Sequence, residues 1–141
     1  MTRNKDCVFC KIANNEEFSN IIYEDELVCC FLDIDPINEG HILIIPKEHF
    51  HDIDDLDDKT LLRIVKLSTK SVKLIKKVFS PDGYTIIQNG GIFTDFGHYH
   101  MHIFPRYMDD EFGWTCKSNN SKVNLAAVKE KLKIILQNND F

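Results

Sequence analysis

Residues 97–106 read GHYHMHIFPR, which sets His98, His100 and His102 at alternate positions and gathers half of the chain's six histidines within five residues. Six histidines scattered at random over 141 residues give such a triplet in roughly one sequence in a hundred, so chance explains it poorly. Two chemistries suit the pattern. Imidazoles at alternate positions of a strand share one face about 6–7 Å apart, and two of them can reach one Zn²⁺ at about 2.0–2.1 Å. Three in a row fit a metal less well, because the outer pair lies about 13 Å apart. The other chemistry makes the middle imidazole a nucleophile. Neutral imidazole is abundant at pH 7 and attacks phosphorus without a separate base. A backbone carbonyl that takes the proton of one ring nitrogen fixes the lone pair of the other toward substrate. His100 then forms a covalent phosphoramidate that water cleaves, and His102 stabilises charge developing on the phosphate oxygens. A merely solvated polar face of a half-buried strand is the chemically silent alternative.

A strand over 98–105 would hold the rings on one face and send Tyr99, Met101 and Ile103 into a core on the other, which fixes its register. Ahead of it, residues 84–89 (YTIIQN) read as a strand and 90–97 as a loop. Two β-rich segments, 26–34 and 40–47, flank a turn carrying Asp35, Pro36, Asn38 and Gly40. Residues 57–79 open on Asp, end in lysines and place Leu61, Ile64, Val65, Ser68, Val72, Ile75 and Phe79 on one side of an amphipathic helix. Short helices are predicted over 5–14 and 124–137, the latter capped by Asn124. Two strands, a helix, two strands and a helix give an α+β fold with an antiparallel sheet covered by helices.

A length of 141 residues with 43% hydrophobic content suits a single domain, spanning 1–141, with a core that needs no disulfides. The net charge of −5, with no Lys/Arg block along the chain, argues against nucleic acid as a partner. No signal-peptide pattern and no run of about eighteen apolar residues are visible, so a cytoplasmic protein without a membrane partner is expected. The five cysteines form no disulfide framework: Cys7 and Cys10 make a C-x-x-C pair, Cys29 and Cys30 are adjacent in an apolar run, and Cys116 stands alone. The pair is open to three readings: redox couple, zinc half-site or two buried thiols. It does not follow a strand of a βαβ unit, and spare histidines exist to complete a Cys₂His₂ set, which favours zinc.

His98-Tyr99-His100-Met101-His102-Ile103-Phe104 resembles the His-x-His-x-His-x-x motif of the histidine triad superfamily of nucleotide hydrolases and transferases. The segments CVFCKI at 7–12, FLDI at 31–34 and GHILIIPKEH at 40–49 stand in the order and spacing of its small bacterial members, so the resemblance covers about residues 6–106. It implies an α+β fold with an antiparallel sheet of about five strands, a homodimer whose sheets join, and hydrolysis or transfer at the α-phosphate of a purine nucleotide or nucleotide conjugate. By motif position His100 is the nucleophile and His102 contacts the phosphate and leaving group, while His41 lies close to the nucleophile. Phe9, Phe31 and Ile34 fall around the base, Asp33 at the ribose hydroxyls and Asn89 near the phosphate. These residue types suit those tasks, since apolar faces stack on a base and a carboxylate accepts two hydroxyl hydrogen bonds. In zinc-binding relatives the ligands beside the two cysteines are the histidine after Pro-Lys and the first triad histidine, here His49 and His98. Cys7, Cys10, His49 and His98 would then hold a structural Zn²⁺ with no open position.

The chain departs from that pattern just before the triad. Many relatives carry a glutamine and a hydroxyl residue where Thr94 and Asp95 stand, and the loop from Asn89 to His98 is about two residues shorter. Thr94 can donate to a phosphate; an ionised Asp95 repels one unless paired or turned away. Phosphoramidate-type hydrolysis is the first expectation and dinucleoside polyphosphate hydrolysis the second. A nucleotide-binding regulatory module without turnover and a catalytic metal protein are the rivals from other classes. His51, Cys29, Cys30 and Cys116 are read as structural or surface residues, and Arg106 as a cation beside the triad.

Overall fold

A computed structural model describes residues 3–116 and 123–138. They fall into two compact units, the first ending at Glu111 and the second beginning at Phe112. In the first unit the elements run α1 (Val8–Ala13), β1 (Ile21–Glu24), β2 (Val28–Leu32), β3 (Ile42–Pro46), α2 (Asp58–Phe79), β4 (Gly83–Ile87) and β5 (Met101–Arg106). The five strands form one antiparallel sheet in the order β1-β2-β3-β5-β4. This is the α+β architecture with about five strands that the sequence implies.

The turn into β2 is built by Asp25, whose carboxylate accepts the N–H groups of Leu27 and Val28 at 2.9 and 3.0 Å. From there β2 pairs with β3 without a break, Val28 opposite Pro46 through Leu32 opposite Ile42. Alternation then sorts the side chains to two faces. Cys29, Phe31, Leu43 and Ile45 pack under Phe9, Cys10 and Ile12 of α1. Val28, Cys30, Ile42, Ile44 and Ile103 pack against Ile64, Leu67 and Ile75 of α2. Buried on both faces, β2 and β3 read as continuous apolar runs. Asp57 caps α2 by accepting the Thr60 N–H at 2.9 Å, and the helix stops at Ser80, in the left-handed region at φ 45, before Pro81. Gly40 lies at φ +89 against the Phe79 ring, where an added Cβ would stand 2.4 Å away, so the turn that delivers His41 to β3 needs glycine.

Three expectations change. The short strand β1 is absent from the sequence reading, because Ile21–Glu24 is mostly exposed and slips register between Ile21 and Tyr23. The triad segment becomes strand only at Met101, since Tyr99 donates its N–H to the Phe50 carbonyl at 2.7 Å, outside the ladder. On α2, Val65 is 48% exposed and Leu67 takes its place in the core. In the second unit, α3 (Leu125–Asn138) opens where Asn124 caps it, accepting the Ala127 N–H at 3.1 Å.

Candidate active site

The three triad rings face three different partners. His98, fully buried, donates Nε2–H to the Pro46 carbonyl at 3.0 Å, which assigns its tautomer and turns the Nδ1 lone pair inward. That nitrogen lies 3.4 Å from Cys7 Sγ, 3.6 Å from Cys10 Sγ and 3.2 Å from His49 Nδ1, and Cys10 Sγ is 3.3 Å from His49 Nδ1. A tetrahedron with Zn–S of about 2.3 Å and Zn–N of about 2.0–2.1 Å has S···N edges of about 3.6 Å and N···N edges of about 3.3 Å. The donor set therefore fits zinc in both type and spacing. Burial pushes His98 down to about 4, overriding the Pro46 hydrogen bond, and lowers His49 as well, so both rings are neutral as metal ligation requires. Burial also raises the Cys10 thiol, which a bound cation would reverse. The short helix α1 carries Cys10, seated in the core beside Phe9, and Cys7 stands at its N-cap.

His100 is 2% exposed and donates Nδ1–H to the His98 carbonyl at 2.8 Å. Its Nε2 lone pair is the free end of the ring. His102, on β5 opposite Leu43 and Ile87, meets His41 through Nδ1···Nε2 at 3.0 Å. His41 Nδ1 accepts the Ile37 N–H at 3.1 Å, so its proton sits on Nε2 and points at His102. His102 Nδ1 is thereby an acceptor and its Nε2–H a donor turned outward. The Asp33 carboxylate lies 3.5 Å from His41 Nε2 and 3.7 Å from His102 Nδ1. Asp33, His41 and His102 have the composition of a metal site. Ligation through His41 Nε2 would nevertheless require a ring stripped of both protons or a lost Ile37 hydrogen bond. The first triad ring turned to thiols, the second to a carbonyl and the third to another histidine cannot share one ion, which removes the geometry the catalytic-metal reading needs.

Burial holds His102 down at about 4, with help from His100 and His41 and against the opposing charges of Asp33 and Asp95. A histidine depressed on folding leaves the unfolded chain to bind the proton first as pH falls, so its contribution is intact above about 6.5 and is lost from there down to about 4. Allowing for its partial exposure, the loss is about 2 kcal/mol. Urea denaturation of wild type and His102→Asn at pH 7 and pH 4.5 reads this directly. The wild type is expected to lose about that much more stability than the variant, and equal losses contradict it.

Phe9 packs beside His100 with ring centroids 5.2 Å apart and contacts Phe31 and Phe96 at 5.7 and 4.6 Å. Phe31 lies buried beneath it, whereas Ile34 is 93% exposed, because the chain leaves β2 at Leu32. Asn89 is also exposed, and neither Ile34 nor Asn89 is hydrogen-bonded to the triad. Thr94 Oγ1 is buried without a hydrogen-bond partner among the described residues. Arg106 is tied to Asp110 by two bonds of 2.6 and 3.0 Å and donates to Thr85 at 3.1 Å.

Phe96 and Asp52 were not singled out from the sequence. Phe96 closes over Phe9 and stands 5.9 Å from His100. Asp52 caps the 3₁₀ turn at Ile53–Asp55 and also accepts the Gly91 N–H at 2.8 Å, pinning the 89–97 loop to the segment that carries His49. A Cβ on Gly90 would stand 2.5 Å from that carboxylate. Asp52→Ala and Gly90→Ala should each raise KM for a nucleotide substrate about fivefold with little change in kcat, the scale of one lost hydrogen bond. Steady-state kinetics showing an unchanged KM would remove Asp52 from the positioning of the loop.

Comparison with known proteins places this geometry. The HIT domain pattern matches residues 14–109. An uncharacterized HIT-like protein of Methanocaldococcus jannaschii is 43% identical over 106 residues, 74% of this chain and 81% of that protein. An adenosine 5'-monophosphoramidase of Schizosaccharomyces pombe is 37% identical over 111 residues, 76% of this chain and 78% of that one. Among solved structures, a HIT family protein from Bacillus anthracis superposes with a TM-score of 0.86 at 32% identity, covering 96% of this chain and 99% of that chain. A Zn-bound histidine triad family protein from Mycobacterium smegmatis gives a TM-score of 0.72 at 29% identity, covering 92% and 97%. The chain belongs to the histidine triad (HIT) family, and its sheet and helices are that family's fold.

Proposed function

We propose that the protein hydrolyses, or transfers the nucleotidyl group of, a purine nucleotide conjugate at its α-phosphate, with phosphoramidates as preferred substrates. The observation that carries this reading is the tautomer chain: the His98 carbonyl holds the His100 proton on Nδ1, and Ile37 and His41 hold a donor on His102 Nε2. His100 Nε2 forms a bond to phosphorus as the bond to the leaving group breaks, and the leaving group takes that electron pair and a proton from solvent. The ring acquires positive charge, which the His98 carbonyl stabilises through Nδ1–H. His102 Nε2–H hydrogen-bonds a non-bridging or leaving oxygen. Water then adds to phosphorus and gives up a proton to solvent, the N–P bond breaks, and the electron pair returns to Nε2.

Asp33 would accept the ribose hydroxyls, Phe9 would flank the base, and Thr94 would meet a phosphate oxygen. Cys7, Cys10, His49 and His98 would hold Zn²⁺, whose contribution is structural: it braces the segment that presents the His98 carbonyl to His100. A homodimer is part of the reading, supported by exposed Tyr84 and Ile86 on the edge strand β4. The test is release of nucleotide from adenosine 5'-phosphoramidate and from diadenosine tetraphosphate. A kcat/KM at least about tenfold higher for the phosphoramidate is expected. Preference for the tetraphosphate would reassign the leaving group, and tight nucleotide binding without release from either would make the protein a binding module.

A further inference from the structure

Helix α2 carries seven of the chain's 17 Lys and Arg residues and one acid, Asp58, although the whole chain is net −5. Five of the cations, Lys59, Lys66, Lys70, Lys73 and Lys77, recur at helical spacing along its outward crest, a line about 27 Å long at 1.5 Å per residue. All five are exposed, and none of their side chains makes a hydrogen bond or ion pair among the described residues. The other two are occupied: Arg63 pairs with Asp25 at 2.5 Å, and Lys76 lies over the Tyr84 ring. Lysines three and four apart, such as 66/70, 70/73 and 73/77, repel one another and weaken the helix, whereas interspersed acids would have stabilised it. Leu62, 54% exposed, sits one turn before Lys66; Leu74, 48% exposed, sits one turn after Lys70 and three residues before Lys77.

We propose that the lysine crest of α2 docks the protein on an anionic lipid surface. A row of four to eight cations on an amphipathic helix is the pattern that acidic headgroups attract. The five lysines lie on the exposed side of one helix rather than lining a cleft, which suits a plane rather than a groove. Leu62 and Leu74 gain by entering the headgroup boundary and gain nothing against a phosphodiester chain or an acidic peptide. The sheet separates α2 from the triad: α2 packs with Tyr99 and Ile103, while His100 faces Phe9 of α1. Docking therefore leaves the site turned away from the lipid. The sequence expectation of no membrane partner rests on the lack of a signal-peptide pattern and of a spanning apolar run, and neither reports a local stripe of charge. No helix among the described residues is long and apolar enough to cross a membrane, so the contact is peripheral.

The test is co-sedimentation of the full chain with vesicles of equal parts phosphatidylglycerol and phosphatidylcholine, and with phosphatidylcholine alone, at about 0.05 M and about 0.5 M salt. Binding to the anionic vesicles at low salt only is expected. Lys66→Gln/Lys70→Gln/Lys73→Gln should weaken it roughly a hundredfold, the product of three lost lysine contributions. Lys129→Gln/Lys131→Gln/Lys133→Gln, with the same change in net charge, should leave it within about twofold. The proposal is overturned by no sedimentation with anionic vesicles, by equal binding to neutral ones, or by equal losses in the two triple variants. Tighter binding of a single-stranded RNA or of polyglutamate than of vesicles, lost in the first triple variant, would reassign the crest to that partner.

Discussion

Replacing His100 with alanine is expected to slow nucleotide release from adenosine 5'-phosphoramidate by at least about a thousandfold while the product nucleotide still binds. The size follows from what the ring contributes. Its Nε2 supplies the new bond to phosphorus, and its Nδ1–H delivers the growing positive charge to the His98 carbonyl at 2.8 Å. No neighbouring ring can stand in. His98 Nδ1 faces Cys7, Cys10 and His49, and His102 Nδ1 faces His41. His102→Ala leaves the nucleophile in place and removes only a hydrogen-bond donor, so its loss should be about a hundredfold, close to that of one oxyanion donor. Equal losses in the two variants would contradict the division of labour within the triad.

The second large effect concerns stability. Removing zinc from protein purified without chelator should lower the melting temperature by about 10–15 °C. Binding at a thousandfold over Kd stabilises by about 4 kcal/mol, and a domain of this size converts that into a shift of this order. Four donors from three separate segments meet at Cys7, Cys10, His49 and His98, so the ion would tie α1 and the segment after β3 to the chain leading into β5. Cys10→Ser should melt low with or without added zinc. It should retain the phosphoramidase reaction at a temperature where it is folded, since the metal enters no bond-making step. A zinc content near zero in the native protein, together with a melting temperature that chelator leaves unchanged, would leave the cluster as two buried thiols and two neutral imidazoles.

Much of this site is legible in the sequence because it depends on periodicity. Apolar Tyr99, Met101 and Ile103 between the histidines fix which face the rings occupy, and the structure places Tyr99 and Ile103 in the core under α2. The Asp57 cap and the apolar positions of α2 give its start and most of its buried side, with polar Thr60 and Ser71 lying in that side where apolar spacing gives no sign of them. Three features escape for physical reasons. β1 is short, exposed and irregular in register, so it carries no alternation. Ile34 continues an apolar run in sequence, but the chain has already left the sheet, which a run of residue types does not report. The bonds that set tautomers and loop position use backbone groups: Ile37 N–H to His41, Gly91 N–H to Asp52, the His98 carbonyl to His100. Every residue owns such groups, so composition does not distinguish the ones that act. Arg106, seen beside the triad in sequence, is claimed by Asp110 four residues on.

The covalent step is tested most directly by trapping in base, where a histidine–phosphorus bond survives: mixing the protein with adenosine 5'-phosphoramidate, quenching with base within the first turnover, and measuring intact and peptide masses. A single adenylyl group on the peptide containing His100, absent from His100→Ala and gone after prolonged incubation, is the predicted result. Release of nucleotide with no adduct at any time, and undiminished in His100→Ala, would contradict a nucleotidyl-histidine and leave direct attack by water.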